Sequence, residues 1–264
     1  MDDRTIELEQ RGPVAWVWLS RPAQHNAVNE DLVRELTHTF RALARETDAR
    51  VIVLSGRGKS FCAGADIESM KRQGQASAGE NRDNARELAD LFHAIAYSPK
   101  PTIARVNGAA IGGGLGLVSA CDIAIASHDA RFAASEVRLG LIPATIGPYV
   151  VRAIGARWAR RLFQTAERIS AAQAEKIGLV HEIVAPDSLD GRIEAIINEL
   201  LAGAPLAQKA AKDLIDTVAD RPITPELIEY TAERIAAIRA QDEANEGLSA
   251  YLEKRRPAWA PRES

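Results

Sequence analysis

Short apolar runs alternate with longer stretches whose apolar residues recur every three or four positions, and this rhythm persists to about residue 145. Residues 6–10 and 14–20 flank Arg11-Gly12-Pro13, a spacing that predicts a hairpin. Residues 29–46 predict a helix: Asn29 can cap it, Glu30 and Asp31 occupy its first turn, and Leu32, Val33, Leu36, Phe40 and Leu43 form one stripe. Residues 50–54 are rich in β-branched side chains and predict a buried strand. Residues 68–84 are polar and broken by small residues, which predicts a mobile stretch before a helix that ends near Tyr97.

Residues 102–106 predict another strand, turned by Asn107-Gly108, and residues 122–126 and 131–137 predict two more. Beyond residue 145 the pattern is mainly helical, with 180–184 the clear exception. Repeated strand-then-helix order makes residues 1–200 an α/β core. Residues 201–264 carry helices with one-sided apolar faces and no strands, so they should pack on the core or on another subunit.

Composition narrows the classes. The 264 residues are 46% hydrophobic and 26% charged, the profile of a globular chain that can bury a sizeable core. A net charge of −3 gives no overall basic character to draw it to nucleic acid. Cys62 and Cys121 make neither a disulfide framework nor a zinc site, which suits a reducing cytoplasm. The acidic start lacks the apolar stretch of a secretory signal, and no apolar run reaches the ~18 residues of a membrane span. His25, His38, His93, His128 and His181 are scattered without metal-ligand spacing, so no metal is expected.

Two segments carry candidate chemistry. Ser60-Phe61-Cys62-Ala63-Gly64-Ala65-Asp66-Ile67 follows a buried strand, and its small residues would let a ligand approach the backbone. Composition alone makes this an ordinary tight loop, with Asp66 as the cap of a following helix. In Asn107-Gly108-Ala109-Ala110-Ile111-Gly112-Gly113-Gly114-Leu115-Gly116-Leu117, three glycines at a helix start expose free N–H groups at the positive end of the dipole. That is an anion site or, equally, a close helix contact. A dinucleotide fingerprint is excluded because residue 117 is Leu and no strand is expected to run directly into the glycines; a P-loop is excluded because no Gly-Lys-Ser/Thr follows.

Taken in order, these segments resemble the crotonase superfamily, the enoyl-CoA hydratase/isomerase family. The resemblance also rests on Arg21-Pro22, Asn26-Ala27, Val106-Asn107-Gly108, Cys121-Asp122, Gly140-Leu141-Ile142-Pro143, Ala174-Glu175, Gly178-Leu179-Val180 and Lys254-Arg255-Arg256, and so covers nearly the whole chain. It implies a β-β-α superhelix with a C-terminal helical trimerisation region, assembled as a homotrimer or dimer of trimers. It implies an acyl-CoA substrate that brings its own coenzyme A, with no other cofactor. The backbone N–H groups of Ala65 and Gly113 would form an oxyanion hole for a thioester enolate. Gln24, His25, Ala27, Ala63, Asp66, Ile67 and Gly112 would line the coenzyme path, and Lys254 would reach its phosphates from a neighbouring subunit or else simply end a solvated helix.

Hydratases of this family use two glutamates. Here the first position is Gly116, and the second is Glu136, flanked by apolar residues that could raise its pKa. The alternative for Glu136 is a salt bridge with Arg138, two residues along the same strand face. Ser135 to Ile146 resembles bacterial methylglutaconyl-CoA hydratases of leucine breakdown, whose substrates branch at C3, and Gly116 would make room for that branch. The reading is therefore hydration or dehydration of a branched 2-enoyl-CoA with Glu136 as acid and base. The alternatives are a double-bond isomerase and, in another class, a non-catalytic scaffold.

Overall fold

The computed structural model describes residues 4–45 and 48–260. By contact the chain divides into two units: residues up to Ser98 together with Thr102–Glu194, and Pro99–Pro101 together with the chain from Ala195 onward.

The first unit holds the strands β1 (Ile6–Arg11), β2 (Val14–Leu19), β3 (Val51–Gly56), β4 (Thr102–Val106), β5 (Ala109–Ile111), β6 (Ile123–Ser127), β7 (Arg131–Ala133), β8 (Ile169–Ser170) and β9 (Glu182–Val184). Among the described residues they form a six-stranded sheet in the order β1-β2-β3-β4-β6-β9 and a three-stranded sheet in the order β5-β7-β8. The β1–β2 pair is the expected antiparallel hairpin; the rest of the large sheet is parallel, with Val14 opposite Val51 and Ile103 opposite Ile123. Alternation along the strands sends Ala15, Val17 and Leu19 of β2 and Ile52 and Leu54 of β3 into one core.

Helices α1 (Glu30–Leu43), α2 (Ile67–Gln75) and α3 (Ala78–Ala96) follow the first strands. The α1 stripe of Leu32, Leu36, Phe40 and Leu43 is buried, and Asn29 caps the helix by accepting from the Leu32 N–H at 2.9 Å. Glu46, included in the expected helix, lies outside the described residues. Residues 68–84, expected to be irregular, are helical in α2 and α3. Local polar bonds explain the difference. Asp66 caps α2, and Ser77 and Glu80 form a reciprocal capping box at the start of α3.

Helix α4 (Gly113–Ala120) is followed by α5 (Gly147–Thr165) and α6 (Ala171–Lys176). The strand β5 runs directly into Gly112 and α4, contrary to the expectation that no strand would do so. The exclusion of a dinucleotide fingerprint therefore rests on Leu117 alone. Strand β7 stops at Ala133, and Glu136–Leu139 form a 3-10 turn rather than the end of a strand. Glu136 and Arg138 consequently share no strand face.

Helix α7 (Leu189–Ala202) crosses the division between the units; α8 (Pro205–Val218), α9 (Pro225–Arg239) and α10 (Asp242–Leu252) belong to the second. That unit exposes Leu206, Ile215, Ile228, Ile235, Leu248, Tyr251 and Leu252. Within it the Glu243 carboxylate accepts from the Leu206 and Ala207 N–H groups at the start of α8, and Arg255 pairs with Glu246 at 2.7 Å. The Arg255 bond and the Ala258 N–H hold the Glu246 carboxyl down at about 2. No described helix is long and apolar enough to cross a membrane.

Candidate active site

The site is assembled by three segments laced together through their backbones. The Cys62 N–H donates to Ala109 O and the Ile111 N–H to Cys62 O, both at 2.9 Å, which sets the 60–67 loop beside β5. On its other side the Ala63 N–H donates to His25 O at 3.0 Å, the Val28 N–H to Gly64 O at 2.7 Å, and the Asp66 N–H to Val28 O at 2.9 Å. Gly114 lets α4 come this close, because a Cβ there would lie 2.9 Å from Cys62 Cβ.

Asn26 locks the first segment. Its side chain is fully buried; its amide donates to Arg57 O, Ser60 O and Phe61 O at 2.8 to 3.1 Å, and its oxygen accepts from the Arg21 N–H at 2.9 Å. Arg21 bonds Ala27 O and pairs with Asp66 at 2.9 Å. Asp66 is thereby fully committed: one oxygen accepts from Arg21 and the other from the Glu68 and Ser69 N–H groups. Burial works to raise its pKa, but the Arg21 bond and the N–H donors bring it below its ordinary value. Asp66 thus holds the loop, with both of its oxygens already engaged by protein donors.

The lacing leaves two donors over. Among the described residues neither the Ala65 nor the Gly113 N–H finds an acceptor. Gly113 is the first residue of α4, where the helix itself offers its N–H no partner. Both residues line a cavity of about 360 Å³ together with Glu136, Leu88, Leu141, Ile142, Pro143 and Ile146. Glu136 Oε2 is buried without a hydrogen-bond partner, and burial pushes the carboxyl pKa above its ordinary value. No ion pair joins it to Arg138. Gly112, at φ +51, lies under this carboxylate: a Cβ there would sit 3.2 Å from Glu136 Oε1.

The other expected site residues separate into groups. Gln24, His25, Ala63 and Ile67 are exposed and Ala27 is half-buried along the laced loops, with the His25 ring 3.0 Å from Ser60 Oγ. Lys254 lies in the second unit, after α10, in a left-handed conformation at φ +56. Gly116 is corrected. A Cβ on it would overlap Ile146 Cγ2 and lie 2.8 Å from Phe92 Cε1, so the room expected for a branched substrate is filled by the protein's own side chains. Cys62 is wholly buried and its thiol is pushed up to about 12 by desolvation, which fits packing and not nucleophilic chemistry. Sequence reasoning missed the bracing by Arg21 and Asn26 and the plug formed by Ile146; a polar pair inside an apolar-flanked turn is a signal only for the first.

An unpaired, partly desolvated carboxylate in one cavity with two unclaimed N–H donors is equipped to move a proton while an oxyanion is held. Comparison with known proteins agrees with that chemistry. Residues 9–262 match the family described as enoyl-CoA hydratase/isomerase. A short-chain-enoyl-CoA hydratase of Clostridium acetobutylicum is 34% identical over 258 residues, 97% of each chain. The crystal structure of an enoyl-CoA hydratase from Shewanella pealeana superposes with a TM-score of 0.95 at 40% identity, covering 98% of this chain and 97% of that one. A crystal structure from Legionella pneumophila, titled a putative enoyl-CoA hydratase/isomerase (crotonase), gives 0.92 at 44% identity over 97% and 98%. The chain therefore belongs to the enoyl-CoA hydratase/isomerase family, with the crotonase fold, and is an enoyl-CoA hydratase of that family.

Proposed function

We propose that Glu136 alone performs the acid–base work of hydrating a 2-enoyl-CoA thioester. The observation that carries this is the partnerless, buried Oε2 of Glu136 in the same cavity as the unclaimed N–H groups of Ala65 and Gly113. The thioester oxygen accepts from both donors. Glu136 takes a proton from water as the water oxygen bonds to C3, and the C2–C3 electron pair moves into the enolate held by the donors. The protonated carboxyl then returns its proton to C2. The hydroxyl and the hydrogen arrive from one side, so addition is syn. Dehydration is the reverse. A second carboxylate at residue 116 has no place in this scheme, because Ile146 and Phe92 fill the space beside Gly116.

The exposed edge formed by Gln24, His25, Ala63 and Ile67, with Ala27, suits the pantetheine and adenine of coenzyme A. The apolar face of the C-terminal helices supports a homotrimer or dimer of trimers, in which Lys254 would meet the coenzyme phosphates of a neighbouring copy. Isomerisation is the second reading, since one base also suffices to shift one proton between carbons. The methylglutaconyl thioester suggested by residues 135–146 loses its steric argument at Gly116, whereas the name of the Clostridium relative speaks for a short chain.

Incubation with crotonyl-CoA and with 3-enoyl-CoA, followed by chromatographic separation and mass analysis of the products, separates the readings. Hydration adds one water to crotonyl-CoA. A product of unchanged mass from the 3-enoyl thioester, without hydration of crotonyl-CoA, would overturn the proposal in favour of isomerisation.

A further inference from the structure

The cleft has a distinctive charge. Its lining includes three carboxylates, Glu30, Glu87 and Glu136, and no lysine, arginine or histidine. The remaining polar lining is uncharged, with Asn81 and Asn84 on α3 and Gln73 on α2 among it. Glu30, Gln73 and Asn84 are shared with an adjoining surface hollow that does contain arginines, Arg34 and Arg72. Neither is a free cation. Arg72 donates to Glu30 Oε2 at 2.7 Å and to Ser69 Oγ at 2.9 Å, and Arg34 pairs with Asp31. Those bonds cancel charge without offering a guanidinium to the cleft. Glu87 is different. It is exposed on α3, has no ion-pair partner among the described residues, and lines both this cleft and a second groove shared with Arg34, His38, Arg41 and Asp90, the last two of which pair with each other at 3.3 Å.

We infer that this cleft selects against acyl chains ending in a carboxylate, and that Glu87 is the residue that enforces the selection. The inference rests on the hydratase reading above and names its substrate class: 2-enoyl thioesters with an apolar or uncharged tail. A second carboxylate carried by the acyl group would lie against Leu88, Leu141, Ile142 and Pro143, with only neutral amides such as Asn81 and Asn84 to replace part of its hydration. It would also approach Glu87, and the cleft lining itself holds no cation to compensate. Specificity here comes from the repulsive element as much as from apolar contact. A glutaconyl-type substrate, the expectation drawn from the sequence, is the class so rejected.

The test compares kcat/KM for crotonyl-CoA and glutaconyl-CoA in the wild type, Glu87→Gln, Glu87→Lys and Asp83→Asn. Asp83 is exposed on the same helix outside the cleft, so its variant controls for a change of overall charge. The wild type should favour crotonyl-CoA by about tenfold or more, the repulsion from an exposed, screened carboxylate adding to the cost of desolvating the second charge. Glu87→Gln should narrow the ratio and Glu87→Lys should narrow it further, by about tenfold or more, chiefly through KM for glutaconyl-CoA. Asp83→Asn should leave the ratio where it was. A wild type that accepts glutaconyl-CoA as well as crotonyl-CoA, or a ratio unmoved by Glu87→Lys, would overturn the inference while leaving the hydratase reading intact. Failure to hydrate either thioester would instead overturn the hydratase reading, and this one with it.

Discussion

Asp66 and Glu136 are two carboxylates beside the laced loops, and their surroundings could hardly differ more. Asp66 spends one oxygen on Arg21 and the other on two helix N–H groups, and its pKa falls. Glu136 leaves one oxygen without any partner in a buried position, and its pKa rises. A satisfied carboxylate stabilises the fold. An orphaned one costs stability, and a protein tolerates such a cost where the group is used for chemistry. The contrast says which acid holds the site and which works in it.

The largest effect should come from Glu136→Gln. Removing the acid–base group should lower hydration by about 10²–10⁴-fold. The melting temperature should stay level or rise, since a neutral amide relieves the burial of a charge. A variant that loses activity only in proportion to lost folded protein would break the contrast at once.

Gly112→Ala comes next. The added methyl would press on Glu136 Oε1 from 3.2 Å and force a side chain into φ +51. Turnover should fall by about tenfold through the displaced base, and stability should fall as well, by about 1–3 kcal/mol, because a side chain is forced into a backbone conformation that favours glycine. Turnover equal to wild type would show that the Glu136 carboxylate does not depend on that gap.

Asp66→Ala should act mainly on stability. Loss of the α2 cap alone costs about 1 kcal/mol, read from chemical denaturation. Any loss of activity should be smaller than for Glu136→Gln and should track loosening of the Ala65 loop. If Asp66→Ala abolished turnover in a fully folded protein, the assignment of Asp66 to structure would fall.

Stability should also respond to pH with opposite signs at the two sites. The folded pKa of Asp66 is depressed, so its contribution is present above its unfolded value and is lost as pH falls through the folded one. The folded pKa of Glu136 is raised, so its contribution is complete below its unfolded value and is lost as pH rises through the folded one. Denaturation curves between pH 3 and 7 should therefore lose an alkaline-side decline in Glu136→Gln and an acid-side decline in Asp66→Asn.

Much of this was legible in the chain. The hairpin, the α1 stripe with its Asn29 cap and the parallel core strands follow from alternation and periodicity, because burial of whole faces dominates those elements. The glycine triplet at a helix start and the small-residue loop marked both donor segments. What stayed hidden depends on contacts between distant residues. Strand β5 is only three residues long and its pairing partners lie in β7 and around Cys62, so no local period marks it. Residues 131–137 read as one strand because nothing in their composition shows where β7 ends and the turn bearing Glu136 begins. Gly113 and Gly116 look alike in sequence. One faces the cleft and the other is wedged against Phe92 and Ile146, and only packing tells them apart.

The most direct test of the contrast is a titration of both carboxyl carbons in one sample, by 13C NMR of selectively labelled protein assigned through Glu136→Gln and Asp66→Asn. Asp66 should titrate below its ordinary 3.8 and Glu136 above its ordinary 4.5. A Glu136 midpoint at or below 4.5 would contradict the account, because a carboxylate that is comfortable in its site has no desolvation to make it a base.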